Sequence, residues 1–149
     1  MSSRRPPRAA GERQPARVFV DSGAWLALFS ARDDNHATAE ILFRRAADRR
    51  VPLFTTNLVL AEVHRLILFR AGPAAASAAL ARVDDSALVV VTYARHAHHQ
   101  AARAWLARLS DQKITYTDAT SFAVMDAERC GVAMSFDRDF WVAGFELWQ

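Results

Sequence analysis

At 149 residues, with 52% hydrophobic and 23% charged side chains, the chain has the composition of one globular domain, which excludes a disordered polymer. The net charge of +3 is unevenly placed: residues 1–17 carry five arginines against Glu12, or +4, which leaves −1 for the remainder. A single cysteine, Cys130, excludes an intramolecular disulfide framework, and no run approaches the ~20 apolar residues of a membrane span.

Residues 1–16 hold Pro6, Pro7, Gly11 and Pro15 among arginines, without apolar periodicity, and predict a disordered basic arm. Residues 17–149 are expected to form the one folded domain. No apolar segment of signal-peptide length follows the basic start, so a soluble, cytoplasmic protein is expected. The ordered part opens with Arg17-Val18-Phe19-Val20-Asp21, an apolar run suited to a strand covered on both faces. A helix from Ala24 to Phe29 follows, then one capped by Asn35 and running to Arg49. Val51 to Thr55 reads as a second strand. Thr56 or Asn57 can cap the next helix, whose stripe is Leu58, Val59, Val63, Leu66 and Ile67. Gly72-Pro73 ends it, and an alanine-rich helix continues to Val83.

Ala87 to Val91 is the clearest buried strand by composition, and a helix with Trp105 and Leu109 on one side comes next. Asp118 is expected to open a helix through Phe122 and Met125 that stops at Gly131, a natural C′ glycine. Val132 to Ser135 and Phe145 to Trp148 complete the strands. Strands separated by pairs of helices argue an α/β domain with a mostly parallel central sheet.

Four acids stand out against this pattern. In open parallel sheets ligands bind at the carboxyl ends of strands. Asp21 ends the first strand, and Asp137 lies two residues beyond the strand ending at Ser135. Asp118 begins a helix, and Glu62 falls between Leu58 and Leu66 within an apolar stripe, where an unpaired carboxylate costs several kcal/mol. Taken singly, Asp118 reads as an N-cap, Asp21 and Asp137 as turn formers, and Glu62 as half of a buried ion pair. Together they supply the oxygen ligands that a hard divalent cation prefers.

Four segments carry a resemblance: Val18 to Trp25, Thr55 to Val63, Tyr116 to Ala119, and Ser135 to Phe140. In this order and spacing the sequence resembles the PIN domain nucleases, which include VapC-type toxins, over residues 17–148. The resemblance implies a three-layer α/β/α sandwich and a Mg²⁺- or Mn²⁺-dependent site that cleaves single-stranded RNA by a metal-activated water. It implies Asp21 and Asp118 as principal metal ligands, with Glu62 and Asp137 completing the shell. Asp139 is an alternative to Asp137, and Ser22 and Ser135 are expected to orient the acids. Arg65, Arg138 and Lys113 are candidates for RNA phosphate contacts. A small antitoxin and a second copy of the chain are the partners implied. An RNA-processing nuclease with no toxin role, or a catalytically silent RNA-binding module, would use the same fold. His96, His98 and His99 cluster in one turn without a third ligand and are expected at the surface or an interface. Trp25 and Trp105 are expected in the core, and Trp141 and Trp148 against the last strand or a dimer surface.

Overall fold

A computed structural model describes residues 13–149; residues 1–12, most of the expected basic arm, lie outside it. Just before the domain, the Gln14 side chain donates to the Arg49 carbonyl oxygen at 3.0 Å.

The chain alternates as β1 (Val18–Val20), α1 (Ser22–Phe29), α2 (His36–Arg49), β2 (Leu53–Thr56), α3 (Asn57–Ala71) and α4 (Pro73–Asp84). It continues through β3 (Val89–Thr92), α5 (His96–Arg108), α6 (Tyr116–Ala127), β4 (Val132–Met134), α7 (Asp139–Val142) and β5 (Glu146–Leu147). All pairings are parallel, in the order β3-β2-β1-β4-β5. Successive strands step one way from β1 to β3, and the chain then jumps back to β4. With right-handed crossovers this puts α1–α4 on one face and α5–α7 on the other, the expected α/β/α sandwich. The reversal falls between β1 and β4, which is where such sheets bind ligands at their carboxyl edge.

Phe19 of β1 meets Phe54 edge-on at 5.3 Å and stacks on Phe140 of α7 at 5.8 Å. Phe122 of α6 packs perpendicular to Phe140 and against Trp105 of α5. Each fully buried phenylalanine contributes about 1.5–3 kcal/mol, so this aromatic layer fixes α6 and α7 against the β1–β4 junction. On the other face Trp25 packs on Phe29 and Phe43. Helices α5 and α6 run side by side in the same direction, since His99 meets Tyr116 and Trp105 meets both Phe122 and Asp126. Their N-terminal ends therefore meet at the carboxyl edge of the sheet.

Several local expectations change. The strand expected at Ala87 to Val91 is β3, and it occupies a sheet edge with Val90 62% exposed. An all-apolar run identifies a strand but not its place in the order. Helix α6 starts two residues before Asp118, because Thr115 is its cap and accepts from the Asp118 N–H at 3.1 Å. The pattern Thr115-x-x-Asp118 is itself a helix-start signature. Gly131 is not the helix-terminating glycine: α6 ends at Ala127, and Arg129 takes the left-handed position at φ 53°. Helix α7, four residues long, is too short to show any periodicity in the sequence. Gly72, at φ 90°, does separate α3 from α4, with Pro73 at the first position of α4. Trp25, Trp105 and Trp148 are buried, while Trp141 is 60% exposed. Cys130 is buried, its Sγ 3.4 Å from the carbonyl oxygens of Arg17 and Val132. No helix of the described residues is long and apolar enough to cross a membrane.

Candidate active site

Each acid reaches the carboxyl edge by a different local device. The chain leaves β1 at Asp21, whose N–H still donates to the Met134 carbonyl of β4 at 3.1 Å. That bond seats Asp21 at the switch point, and the side chain is buried at 4% exposure. Thr55, buried in β2, donates its hydroxyl to the Val20 carbonyl at 2.9 Å and fixes the backbone just behind it. Thr56 caps α3 by accepting from Val59 N–H at 3.1 Å, which aims the helix that carries Glu62.

Ser135, just past β4, links two acids. Its hydroxyl lies 3.1 Å from Asp21 Oδ2, to which it donates, and accepts from the Asp137 N–H at 3.1 Å. Asp137 Oδ1 in turn accepts from the Asp139 N–H at 3.0 Å and starts α7. Ser22 Oγ lies 3.5 Å from Asp21 Oδ1, a looser contact. The expected supporting serines are thus both beside Asp21, with Ser135 the better placed. Removing its hydroxyl in Ser135→Ala should lower cleavage by about 10- to 100-fold with little loss of fold, as for other residues that orient a ligating group. Cleavage rates beside a circular dichroism melt check this; unchanged rates would show that Ser135 is dispensable.

An open cleft of about 650 Å³ gathers Asp21, Ser22, Glu62, Lys113, Thr115, Asp118, Asp137, Arg138 and Asp139. All four expected acids are here. Carboxylate oxygens of Asp118, Asp137 and Asp139 lie within 4.8 Å of one another, so the structure brings Asp139 to Asp118 alongside Asp137. Glu62 departs from expectation in one respect. It is half-buried at the cleft and not sealed within its helix stripe, where Val59 and Val63 are the buried residues. A repeat of Leu58, Glu62 and Leu66 cannot distinguish a core position from one facing a cleft.

The electrostatics are those of crowded acids. Burial, first, then the Asp118 charge and more weakly Glu62, push the Asp21 carboxyl up from 3.8 to about 7, against hydrogen bonds from Ser22 N–H and Ser135. Asp118 rises to about 6, chiefly by burial and then by the charges of Asp137 and Asp139, with the Thr115 hydroxyl and N–H opposing. Asp139 is also raised, by partial burial and by Asp137. No cation pairs with these groups: the ion pairs among the described residues are Arg17–Glu128 and His36–Glu40. Five carboxylates sharing one cleft, none of them in an ion pair among the described residues, fit a hard divalent cation.

Of the expected phosphate contacts, Lys113 and Arg138 line the cleft. Arg65 does not; it is exposed on α3 with its guanidinium 5.6 Å from the Phe69 ring centroid. Sequence reasoning missed Thr115 and Thr55; Asn57, the alternative cap for α3, instead accepts from Ala94 N–H through its Oδ1 at 2.9 Å and ties the loop after β3 to the start of α3.

The PIN domain family model matches residues 18–146. The 23S rRNA-specific endonuclease VapC20 of Mycobacterium tuberculosis is 38% identical over 128 residues, 86% of this chain and 95% of that protein. Ribonuclease VapC26 of the same organism is 28% identical over 81% of this chain and 87% of its own length. The crystal structure of VapC20, described as a sarcin–ricin loop cleaving toxin, superposes with a TM-score of 0.78, covering 86% of this chain and 95% of that one. FitAcB from Neisseria gonorrhoeae, at 10% identity, shares the fold at a TM-score of 0.60 over 89% of this chain and 96% of its own. A family match across nearly the whole domain, with the acids gathered at the switch point, establishes that the chain belongs to the PIN domain family.

Proposed function

We propose that this protein is a Mg²⁺- or Mn²⁺-dependent endoribonuclease, the toxin of a toxin–antitoxin pair. The observation that supports it best is the unpaired acidic cleft at the β1–β4 switch point, joined to 38% identity with a ribosomal RNA endonuclease. Asp21, Glu62, Asp118 and Asp137 would hold the cation, with Asp139 beside Asp118 and Asp137. A bound cation would neutralise these carboxylates and would supply a water acidic enough to act as the nucleophile at neutral pH. The protein's own residues then set geometry. Ser135 holds Asp21 and the Asp137 backbone together, and Thr115 holds Asp118. Lys113 and Arg138 attract the RNA backbone to a cleft whose own charge is negative. No histidine stands among the cleft residues to act as a base. The expected products carry a 5′-phosphate and a 3′-hydroxyl.

Asp137 is the stronger candidate for the fourth acid because its backbone is tied through Ser135 to Asp21. Asp137→Asn should therefore cost more cleavage activity than Asp139→Asn. Equal losses in a side-by-side rate measurement would assign the pair a shared role.

The partners proposed are a small antitoxin and a second copy of this chain. A suitable antitoxin surface is an apolar groove between α1, α3 and α4, lined by Leu26, Phe29, Ile67 and Ala75 and flanked by Arg70 and Arg82. Leu26 also borders the acidic cleft, so a segment seated in the groove lies beside the active site. The domain boundary proposed is residue 17, with the arm before it contributing at most non-specific attraction to RNA.

The test is cleavage of total bacterial RNA by purified protein in Mg²⁺ and in Mn²⁺, with 5′-end mapping. A dominant cut in 23S ribosomal RNA is expected. Intact RNA under both metals would overturn the assignment.

A further inference from the structure

The cleft explains hydrolysis of a phosphodiester, and the one aromatic ring in its lining, Phe136, is partly buried against the core. Beside it lies a group of rings with no part in the chemistry above. Tyr116 opens α6 in the same turn as Asp118, and it is 44% exposed. His99 Nδ1 is 2.8 Å from the Tyr116 hydroxyl oxygen, with the rings 5.7 Å apart and nearly edge to face. His96 stacks on His99 at 6.0 Å, inclined by 29°. Tyr93, 68% exposed, ends the loop side of β3 just upstream. His98 is separate in role: its Nδ1 accepts from Arg95 N–H at 2.9 Å and closes the first turn of α5.

Three features point to a ligand with a flat π face. Tyr116 and His96 are exposed, and His99, which meets both rings, is half-buried. The His99–Tyr116 hydrogen bond holds them in one arrangement in advance, which lowers the entropy lost on binding. Tyr116 also follows directly on Thr115, which lines the cleft together with Asp118. A metal is the weaker use: the metal-competent group among the described residues is Asp118, Asp137 and Asp139, with no histidine.

We infer that His96, His99 and Tyr116 form a stacking site for an unpaired RNA base next to the scissile phosphate. The inference rests on the ribonuclease reading above. Unstacked bases are commonly recognised on aromatic side chains, with a cation contacting the backbone; exposed Arg95 and Lys113 flank the rings in sequence. The arrangement would place a base on the α5–α6 side and its phosphate over the acids.

The experiment uses full-length protein and a short oligoribonucleotide spanning the mapped cut, intact or with one abasic residue at successive positions. One abasic position is expected to raise KM for the wild type by about 5- to 100-fold, the usual range for a stacked base. His99→Ala and Tyr116→Ala should raise KM by a similar factor on intact RNA, change kcat much less, and be indifferent to the abasic residue. Tyr116→Phe keeps the ring and should retain most of the affinity. Thermal melts establish that each variant is folded. If the wild type cuts RNA but the alanine variants keep its KM and its abasic sensitivity, the base is read elsewhere and the inference is wrong. Variants that lose activity while no abasic position matters would make the rings structural, which also overturns it. A wild type that neither binds nor cuts RNA fails at the earlier step, and the ribonuclease reading falls first.

Discussion

Asp21→Asn should make the metal-free protein more stable at neutral pH while lowering cleavage on the order of 100-fold or more. Burial and the neighbouring Asp118 hold the Asp21 carboxyl at about 7 against 3.8 in an open chain. Below pH 4 the group is protonated in both states and costs nothing. As pH rises from 4 to 7 the unfolded chain releases the proton while the folded one retains it, so stability falls. Above 7 the whole cost is present, about 4 kcal/mol from the width of that gap. Asparagine removes the charge but also weakens the hydrogen bonds from Ser135 and Ser22, so the net gain at pH 8 should be about 1–3 kcal/mol. For a chain of this length that is roughly 2–12 °C in Tm. Melts in EDTA from pH 5 to 8 should therefore slope downward for the wild type and much less for Asp21→Asn. A variant that melts lower than wild type at pH 8 and still cleaves RNA would return Asp21 to a purely structural role. Glu62→Gln separates the same two effects at a wetter position. Being half-buried and water-screened, it should shift Tm little, yet cleavage should drop. A large fall in Tm with normal cleavage would mean Glu62 serves the fold.

The central layer and its carboxyl edge were legible because they depend on short-range patterns. Val18-Phe19-Val20 is an apolar run that ends in an acid, and Val132-Ala133-Met134 ends in Ser135 two residues before another. Either sequence alone describes a strand leaving the core. That β1 and β4 are neighbours follows from chain topology, which composition does not encode, and it is this adjacency that turns two turn-forming aspartates into a cleft. The same limit explains β3: Leu88 to Val91 is as apolar as any strand here, yet it lies at an edge. Glu62 illustrates the converse. Its place in a leucine stripe correctly marked it as unusual, but the helix face it occupies opens on the cleft. Arg65 and Arg138 looked alike as charges near an acid in sequence, and only the latter reaches the cleft. The rings of His99 and Tyr116 come from segments 17 residues apart, and their meeting depends on the parallel packing of α5 on α6.

Removal of the divalent cation should have the largest effect of all. In EDTA cleavage should stop, because the crowded carboxylates repel an anionic phosphodiester unless a cation neutralises them. Adding Mg²⁺ or Mn²⁺ should restore it. The same cation should raise Tm, since a ligand that binds only the folded state at 100 times its Kd adds about 2.7 kcal/mol. The size of that rise depends on pH in a defined direction. Asp21, at about 7, and Asp118, at about 6, must lose protons before their oxygens can accept a cation. The metal-induced shift in Tm should therefore be larger at pH 8 than at pH 5.5, and cleavage at limiting metal should decline as pH falls through 7 and 6. Proton and cation compete for the same oxygens, so raising Mg²⁺ should move the lower limb of the pH–rate profile to more acidic values. Asp21→Asn, which removes the group of highest pKa, should lose most of the pH dependence of the Tm shift. Undiminished cleavage in EDTA, or a lower limb that stays fixed while Mg²⁺ is varied a hundredfold, would show that the carboxylates act without a metal.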